Sequence, residues 1–340
     1  MTEKKSGPKK RWFAIVVVLL VAAVAGTIVY FLDDSRGRAP GPSVDPGNNT
    51  AQQETLRHNG REYVLRDDLE TVLIMGLDKY EYQTGRPTYG VDTQQADFLL
   101  LLLIDNANKT CVPFHINRDT MCTIWQLDIY GDPVVDMNGQ IALAHSFGTG
   151  GHDSCRNEVR AVSDLLYGMK IDHYISVTMD VVATLNDMVG GVTVTVLDDF
   201  SQVDKSLVQG QEVTLKGEQA LVYVRGRMSV GDRTNLSRME RQRQYLEALR
   251  EQFLKKADKD DSFTMRALTT ISDSMTSDCS VYKLSDIAEA LTNYTFTDFE
   301  TIAGEAIKGD TFMEYYADED ELYEQVIRLF YIPVEEAAKK

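Results

Sequence analysis

The run Asp97-Phe-Leu-Leu-Leu-Leu-Leu-Ile104 restricts the fold more than any other segment. An extended chain of this composition presents apolar side chains on both sides, so a strand here needs cover on both faces. Thr71-Val-Leu-Ile-Met75 has the same character, and Cys111 to Ile116 reads as a third strand. Periodicity alone leaves a buried helix open for such short apolar runs. His173-Tyr-Ile-Ser-Val177 and Val192-Thr-Val-Thr-Val196 alternate at period two, as half-covered strands do, and Gly190-Gly191 supplies a turn before the second. Helices are predicted over Arg156 to Tyr167, Asp180 to Val189, Lys216 to Val224, Leu236 to about Ala257, Leu284 to Tyr294 and Glu319 to Tyr331, with Asn235 as the cap of the long one. Strands interleaved with helices predict an α/β domain with a central mixed β-sheet flanked by helices. No internal repeat or second linker divides residues 56–340, so they are read as one domain. Residues 260–340 are expected to be helices on the sheet with an acidic outer surface.

The N-terminus has a different composition. Trp12 to Leu32 is a run of 21 residues without a charge, which as a helix is about 31 Å long and matches a hydrocarbon core of about 30 Å. Lys4, Lys5, Lys9, Lys10 and Arg11 precede it, and Asp33 and Asp34 follow. The positive-inside rule then places residues 1–11 in the cytoplasm as a basic tail, with everything after the membrane span outside the cell. Ala23-Val-Ala25 resembles a signal-peptide cleavage site, but the run exceeds a usual h-region of roughly 7–15 residues. Residues 12–32 are therefore read as one uncleaved transmembrane helix in the cell membrane. Residues 33–55, with Pro40, Pro42 and Pro46, have the composition of a linker.

The chain of 340 residues carries 52 acids, 35 Lys and Arg, and a net charge of −17. That balance argues against a non-specific nucleic-acid coat, which needs a basic surface. The positive charge is concentrated. The window from Arg225 to Arg250 holds seven arginines, no lysine and three acids, while Phe296 to Ala337 holds twelve acids against Lys308 and Arg328. Arginine without lysine suits phosphate, because the planar guanidinium pairs two-pronged with its oxygens and keeps its charge when partly buried. Arg243 and Arg250 read as a solvated helix face, whereas Arg225 and Arg227 end an apolar segment and project from its edge. Asn117-Arg118-Asp119-Thr120 follows a buried strand, where α/β sheets place ligands. Asp97 and Asp78 stand at strand ends in the same manner. Of the cysteines, Cys111 is expected to pack inside its strand, and disulfides among Cys111, Cys122, Cys155 and Cys279 are permitted on the outer side. No CxxC or HxxxH spacing marks a zinc site.

Taken together, these motifs resemble the LytR-CpsA-Psr family of cell-envelope phosphotransferases, through about residue 250. The ordered blocks are Leu73-Ile-Met-Gly-Leu-Asp78, Ala96-Asp97-Phe98, Asn117-Arg118-Asp119-Thr120, Asp172-His-Tyr174 and Val189-Gly-Gly-Val192. Leu215-Lys-Gly-Glu-Gln-Ala-Leu-Val-Tyr-Val-Arg-Gly-Arg227, Asp232 and Arg238-Met-Glu-Arg241-Gln242 complete the set. Residues from about Phe263 onward add nothing to the resemblance. It implies a Mg²⁺-dependent transferase with an α/β/α fold. Such an enzyme moves a glycopolymer phosphate from an undecaprenyl-pyrophosphate carrier to a peptidoglycan hydroxyl. Arg118, Arg225, Arg227 and Arg238 match arginines that hold the pyrophosphate. Asp97, with Asp78, matches the metal position, and Asp119, Asp232 and Gln242 match the remaining polar shell.

Three departures accompany the resemblance. His115-Ile-Asn117 stands where a proline-containing block is usual. Gln140-Ile-Ala-Leu-Ala-His145 replaces a lysine or asparagine block, and Asn235 stands where an aspartate is often found. They leave the proton acceptor open between Asp232 and Asp119, with His145 or His152 as compensating groups. Two other readings follow: a non-catalytic polyprenyl-phosphate-binding scaffold or regulator of the envelope, and a polyprenyl-pyrophosphate pyrophosphatase. A serine hydrolase lacks support, because no G-x-S-x-G elbow occurs.

Overall fold

The computed structural model describes residues 55–78, 94–260 and 262–337. The expected tail, transmembrane helix and most of the linker lie outside the described residues. Among those described, no helix is long and apolar enough to cross a membrane.

In chain order the N-terminal part contains β1 (Thr55–His58), β2 (Arg61–Leu65), β3 (Leu69–Leu77), β4 (Ala96–Asp105), β5 (Thr110–Ile116), β6 (Met121–Leu127) and β7 (Pro133–Gln140). Helices α1 (Leu143–Ser146) and α2 (Gly151–Leu165) follow, then β8 (His173–Thr178), α3 (Val181–Met188), β9 (Val192–Thr195), β10 (Glu212–Leu215), α4 (Glu218–Arg225) and α5 (Asn235–Ala257). The C-terminal part adds α6 (Phe263–Ile271), β11 (Met275–Ser277), α7 (Val281–Asn293), β12 (Thr295–Phe296), β13 (Glu300–Thr301), β14 (Gly304–Lys308), β15 (Met313–Ala317), α8 (Glu319–Phe330) and β16 (Tyr331–Pro333).

The central sheet has seven strands in the order β11-β8-β3-β4-β5-β12, with β13 also pairing β5. It is mixed, as expected. Strand β3 is parallel to β8 and antiparallel to β4, while β5 pairs antiparallel with β4 and parallel with β12 and β13. The leucine run explains why both faces are covered. Leu100, Leu102 and Ile104 point into one core with α3, α5, α6 and α7, while Leu99, Leu101 and Leu103 point into the other with α2 and α8. Side chains alternate across the pleat, so a continuous apolar strand must be sandwiched between two helical layers.

The C-terminal region departs from the expectation. Besides helices α6, α7 and α8 it supplies β11, β12 and β13 to the central sheet, the hairpin β14–β15, and β16, which pairs with β2. Strand β9 pairs with β10 in a separate ribbon rather than joining the main sheet. The glycine pair does make the turn before it, with φ of 89° at Gly190 and 99° at Gly191. The cap of α5 is Thr234, whose side chain accepts from the Ser237 N–H at 3.3 Å, and Asn235 turns inward instead. All four cysteines are free, and Cys111 is fully buried.

Leu101 is fully buried in the centre of the sheet. Leu101→Ala should therefore cost about 2–5 kcal/mol in denaturant unfolding; a loss well under 1 kcal/mol would show that this core is loosely packed.

Candidate functional site

The functional side chains collect where β3 ends, β4 begins and β5 ends. Leu77 pairs with Ala96 beyond a register shift at Gly76, and the Asp78 N–H reaches the Gln95 carbonyl at 3.2 Å. A side chain at position 76 would not fit: a Cβ there would lie 2.7 Å from Met179 Sδ and 2.9 Å from Phe98 Cβ. The irregular end of this strand pair sets Asp78 and Asp97 at one edge of the sheet. Strand β5 feeds Asn117 to Thr120 into the same edge, and the loop between α4 and α5 brings the arginines across it.

Asp119 is the hub. It is 2% exposed. Arg227 grips it two-pronged, Nη2 to Oδ2 at 2.5 Å and Nη1 to Oδ1 at 3.2 Å, and Gln140 Nε2 donates to Oδ1 at 3.0 Å. Arg118 Nε lies 3.6 Å from the same carboxylate. Arg118 also pairs with Asp97, and its Nη2 donates to Gln95 Oε1 at 2.6 Å. Arg225 pairs with Asp78 at a half-open rim.

Arg238 stands on the first turn of α5 and is 5% exposed. Its Nε donates to Asn235 Oδ1 at 2.7 Å, and Asn235 Nδ2 donates to Asn117 Oδ1 at 2.6 Å. Thus the residue found in place of an acid is a buried bracket between the helix and the strand end. Burial, with the neighbouring Arg118 and Arg227 cations, pulls Arg238 down to about 9. Burial likewise lowers Arg118. Among the described residues, two guanidinium nitrogens here, Arg118 Nε and Arg238 Nη2, are buried without a hydrogen-bond partner. Buried N–H donors are rarely left unmade, so the cluster offers anion-binding capacity that the protein itself does not use.

Not every expected residue joins the cluster. Asp232 accepts at Oδ1 from the Thr234 N–H and hydroxyl, both at 2.8 Å, ahead of α5. Its carboxyl lies below the usual range: burial opposes the shift, but these hydrogen bonds and the Arg241 charge favour the anion. Among the described residues, no hydrogen bond or ion pair ties it to Arg118, Arg227 or Arg238. Gln242 donates to the Val224 carbonyl at 3.2 Å and lines a cavity rather than meeting the arginines. His145 is buried, with Nδ1 at 2.9 Å from the Gln94 carbonyl, and His152 Nδ1 lies 2.6 Å from the Tyr174 hydroxyl. Arg243 pairs with the exposed Glu240 but is itself only partly exposed, so it meets the solvated expectation in part. Arg250 does not fit the solvated reading: it packs 4.6 Å over the Phe296 ring, with a buried, unpartnered Nε.

The sequence shows no role for two structural supports, although Arg241 stands in the ordered blocks. Fully buried Arg241 clamps Asp198, the Tyr223 carbonyl and the Gly226 carbonyl, which fixes the loop that carries Arg225 and Arg227. Glu158 on α2 is fully buried, accepts the His145 N–H at 2.8 Å and feels the Arg118 charge; burial pushes it up to about 8. A signal for Glu158 was available, since it lies on the same helical stripe as Ser154, Ala161 and Val162.

An apolar cavity of about 100 Å³ adjoins the cluster between the sheet, α3 and α5. Its lining includes Phe98, Val224 and Gln242, which are, respectively, the residue after Asp97, the residue before Arg225 and one turn along from Arg238. A second cavity of about 330 Å³ shares Ile74 and Leu246 with it and continues beneath α5 to Arg250 and Phe299.

The family model LytR_cpsA_psr matches residues 43–329, which carries the likeness well past residue 250 and through the C-terminal region. A polyisoprenyl-teichoic acid–peptidoglycan teichoic acid transferase TagU of Oceanobacillus iheyensis is 27% identical over 251 residues, 73% of this chain and 72% of that protein. The TagU of Bacillus subtilis strain 168 is 29% identical over 186 residues, 55% of this chain and 53% of its own length. The solved structure of TagT bound to LIIa-WTA superposes with a TM-score of 0.55 at 21% identity, covering 77% of this chain and 90% of that one. The match over most of the chain, together with the shared fold, places this protein in the LytR-CpsA-Psr family.

Proposed function

We propose that the protein transfers a glycopolymer phosphate from an undecaprenyl-pyrophosphate carrier to a hydroxyl of peptidoglycan. One observation carries the reading. Arg118, Arg227 and Arg238 crowd around a single buried aspartate, and two of their N–H groups lack partners. Three guanidinium groups so placed repel one another, and phosphate oxygens would satisfy the unmade bonds and relieve that repulsion. The TagU relatives, named for transfer of teichoic acid from a polyisoprenyl carrier to peptidoglycan, support the substrate class.

Asp97, Asp78 and the Gln95 side-chain carbonyl are oxygen donors at one strand edge, a set that fits Mg²⁺. When bound, Mg²⁺ would neutralise charge on the phosphate oxygens. Arg118, Arg227 and Arg238 would hold the pyrophosphate, and Arg225, at the rim, would receive the approaching group. Phosphoryl transfer asks mainly for positioning and charge stabilisation, which preorganised guanidinium groups supply. The sugar hydroxyl must also lose its proton. Asp119 is better placed to accept it than Asp232, because it lies among the arginines while Asp232 is engaged at the helix start. Asp119 becomes available once Arg227 turns to the phosphate. The apolar cavity beside Phe98 and Val224 would take the isoprene units nearest the pyrophosphate, and an N-terminal membrane anchor would keep the domain close to such a substrate.

A non-catalytic binding role draws on Gln140 and Asn235, neutral amides with their hydrogen bonds already made. Incubating the full chain in detergent with carrier-linked glycopolymer, acceptor glycan and Mg²⁺ separates the readings. Transfer supports the proposal, binding without turnover supports the scaffold, and phosphate release without acceptor supports a pyrophosphatase.

Arg118→Ala and Arg225→Ala should each abolish transfer with an unchanged far-ultraviolet circular dichroism spectrum; full activity in both would refute the site. The pH dependence has a defined sign. Arg238 is held at about 9, so its charge is present below that pH and lost above it. Calorimetric titration with inorganic pyrophosphate should show affinity falling as pH rises through about 9. Arg238→Ala should flatten the profile, and an unaltered profile in that variant would assign the dependence to another group.

A further inference from the structure

At the other end of the central sheet, a histidine and a distant Asp-Cys pair bring ligating atoms together. His173 opens β8, and Asp278 and Cys279 form the turn from β11 into α7. One imidazole nitrogen, one carboxylate oxygen and the thiol sulfur all lie within 4.8 Å of one another. The backbone fixes this arrangement. Ser277 pairs with Ile175, and the Tyr174 N–H donates to Asp278 Oδ1 at 2.9 Å, so the strand that carries His173 also places the turn. The Cys279 N–H donates to Ser277 Oγ at 3.1 Å, and the residue is buried.

The imidazole of His173 lies between two carboxylates. Its Nδ1 faces Asp278 Oδ1 at 3.7 Å and its Nε2 faces Glu70 Oε1 at 3.8 Å. Both distances exceed a hydrogen bond, and Nδ1 is buried without a partner. The ring therefore stands between two carboxylates without bonding either. Glu70 is in turn held by Lys283 Nζ at 2.9 Å, which balances its charge. A histidine ligand usually donates its opposite ring N–H to a carboxylate, and Glu70 stands on that side of the ring, one small shift from hydrogen-bond distance.

We propose that His173 Nδ1, Asp278 and Cys279 Sγ bind a zinc-class divalent transition-metal ion, with water in a fourth position and Glu70 orienting the imidazole. Imidazole, carboxylate and thiolate are all zinc ligands. Magnesium, by contrast, prefers an all-oxygen set. On binding, the Cys279 S–H bond breaks, its proton passes to solvent, and the sulfur's electron pair forms the bond to the metal. The ion ties the edge strand β11 and the start of α7 to β8. His173 pairs with Val72, six residues before Asp78 on β3, about 20 Å along the strand from the arginine site. The ion is therefore structural and separate from phosphate transfer. His173 lies more than a hundred positions before Asp278 and Cys279, which is why no short spacing announces them.

The test uses the full chain in detergent, stripped with a chelator and dialysed. Zn²⁺ is titrated against a chromophoric competitor, and Co²⁺ is added to a second sample as a spectroscopic substitute. One equivalent should bind, with a thiolate-to-cobalt charge-transfer band. Cys279→Ser should abolish that band, and His173→Gln should remove high-affinity binding. Glu70→Gln should weaken binding roughly 10–100-fold. Circular dichroism confirms that each variant is folded. Failure to bind one equivalent, or binding that survives Cys279→Ser and His173→Gln unchanged, would overturn the proposal.

Discussion

The buried Asp119 carboxylate organises more of this molecule than any other polar group. It gathers Arg227 from the α4–α5 loop, Gln140 from the end of β7 and the neighbouring Arg118. Its backbone carbonyl accepts from the Tyr315 N–H at 2.9 Å, which ties in β15 as well. Breaking a buried ion pair by removing one partner costs on the order of 3–5 kcal/mol, because the remaining charge is stranded. Asp119 therefore holds together four chain segments that converge beside the central sheet. The same contact keeps three arginines closer than their charges favour.

That electrostatic tension is the link between fold and function. A site built only for stability would match each guanidinium with acceptors. Here four arginines meet three aspartates, Arg238 relies on a neutral Asn235 bracket, and donors remain unmade. The cost is borne by two well-packed cores on either face of the sheet and by Arg241, whose buried clamp on Asp198 and Gly226 keeps the arginine loop in place. On the proposed function, the apolar cavity beside the cluster would give the hydrocarbon tail of an amphiphilic substrate a surface next to the one for its charged head.

Much of this was legible in the sequence because it follows from local rules. The leucine run needed cover on both sides whichever element it formed, and as a central strand Leu99 to Ile104 divide cleanly between the two cores. Arg225 and Arg227, and the polar knot after β5, stand out in composition, whereas Arg238 and the role of Asp119 come only from what the family resemblance implies. What was missed depends on tertiary context. Thr234 and Asn235 are both good cap residues, and only the position of Asn117 shows that Asn235 turns inward. Asp232 reads as a base in a motif, yet its oxygens serve the helix start. The short strands β12 and β13, two residues each, carry no periodicity, and they exist because β5 offers an unpaired edge. Arg250 resembled a surface charge until Phe296 arrived beneath it from a distant segment.

In the proposed site the arginines around Asp119 form a pyrophosphate cradle beside the apolar cavity. A crystal structure of the protein with a bound polyprenyl pyrophosphate tests it most directly. Phosphate oxygens should be bonded to Arg118, Arg227 and Arg238, with Arg238 Nη2 and Arg118 Nε satisfied and the first isoprene units beside Phe98 and Val224. A pyrophosphate bound elsewhere, with Arg227 still two-pronged on Asp119 and both nitrogens unpartnered, would contradict it.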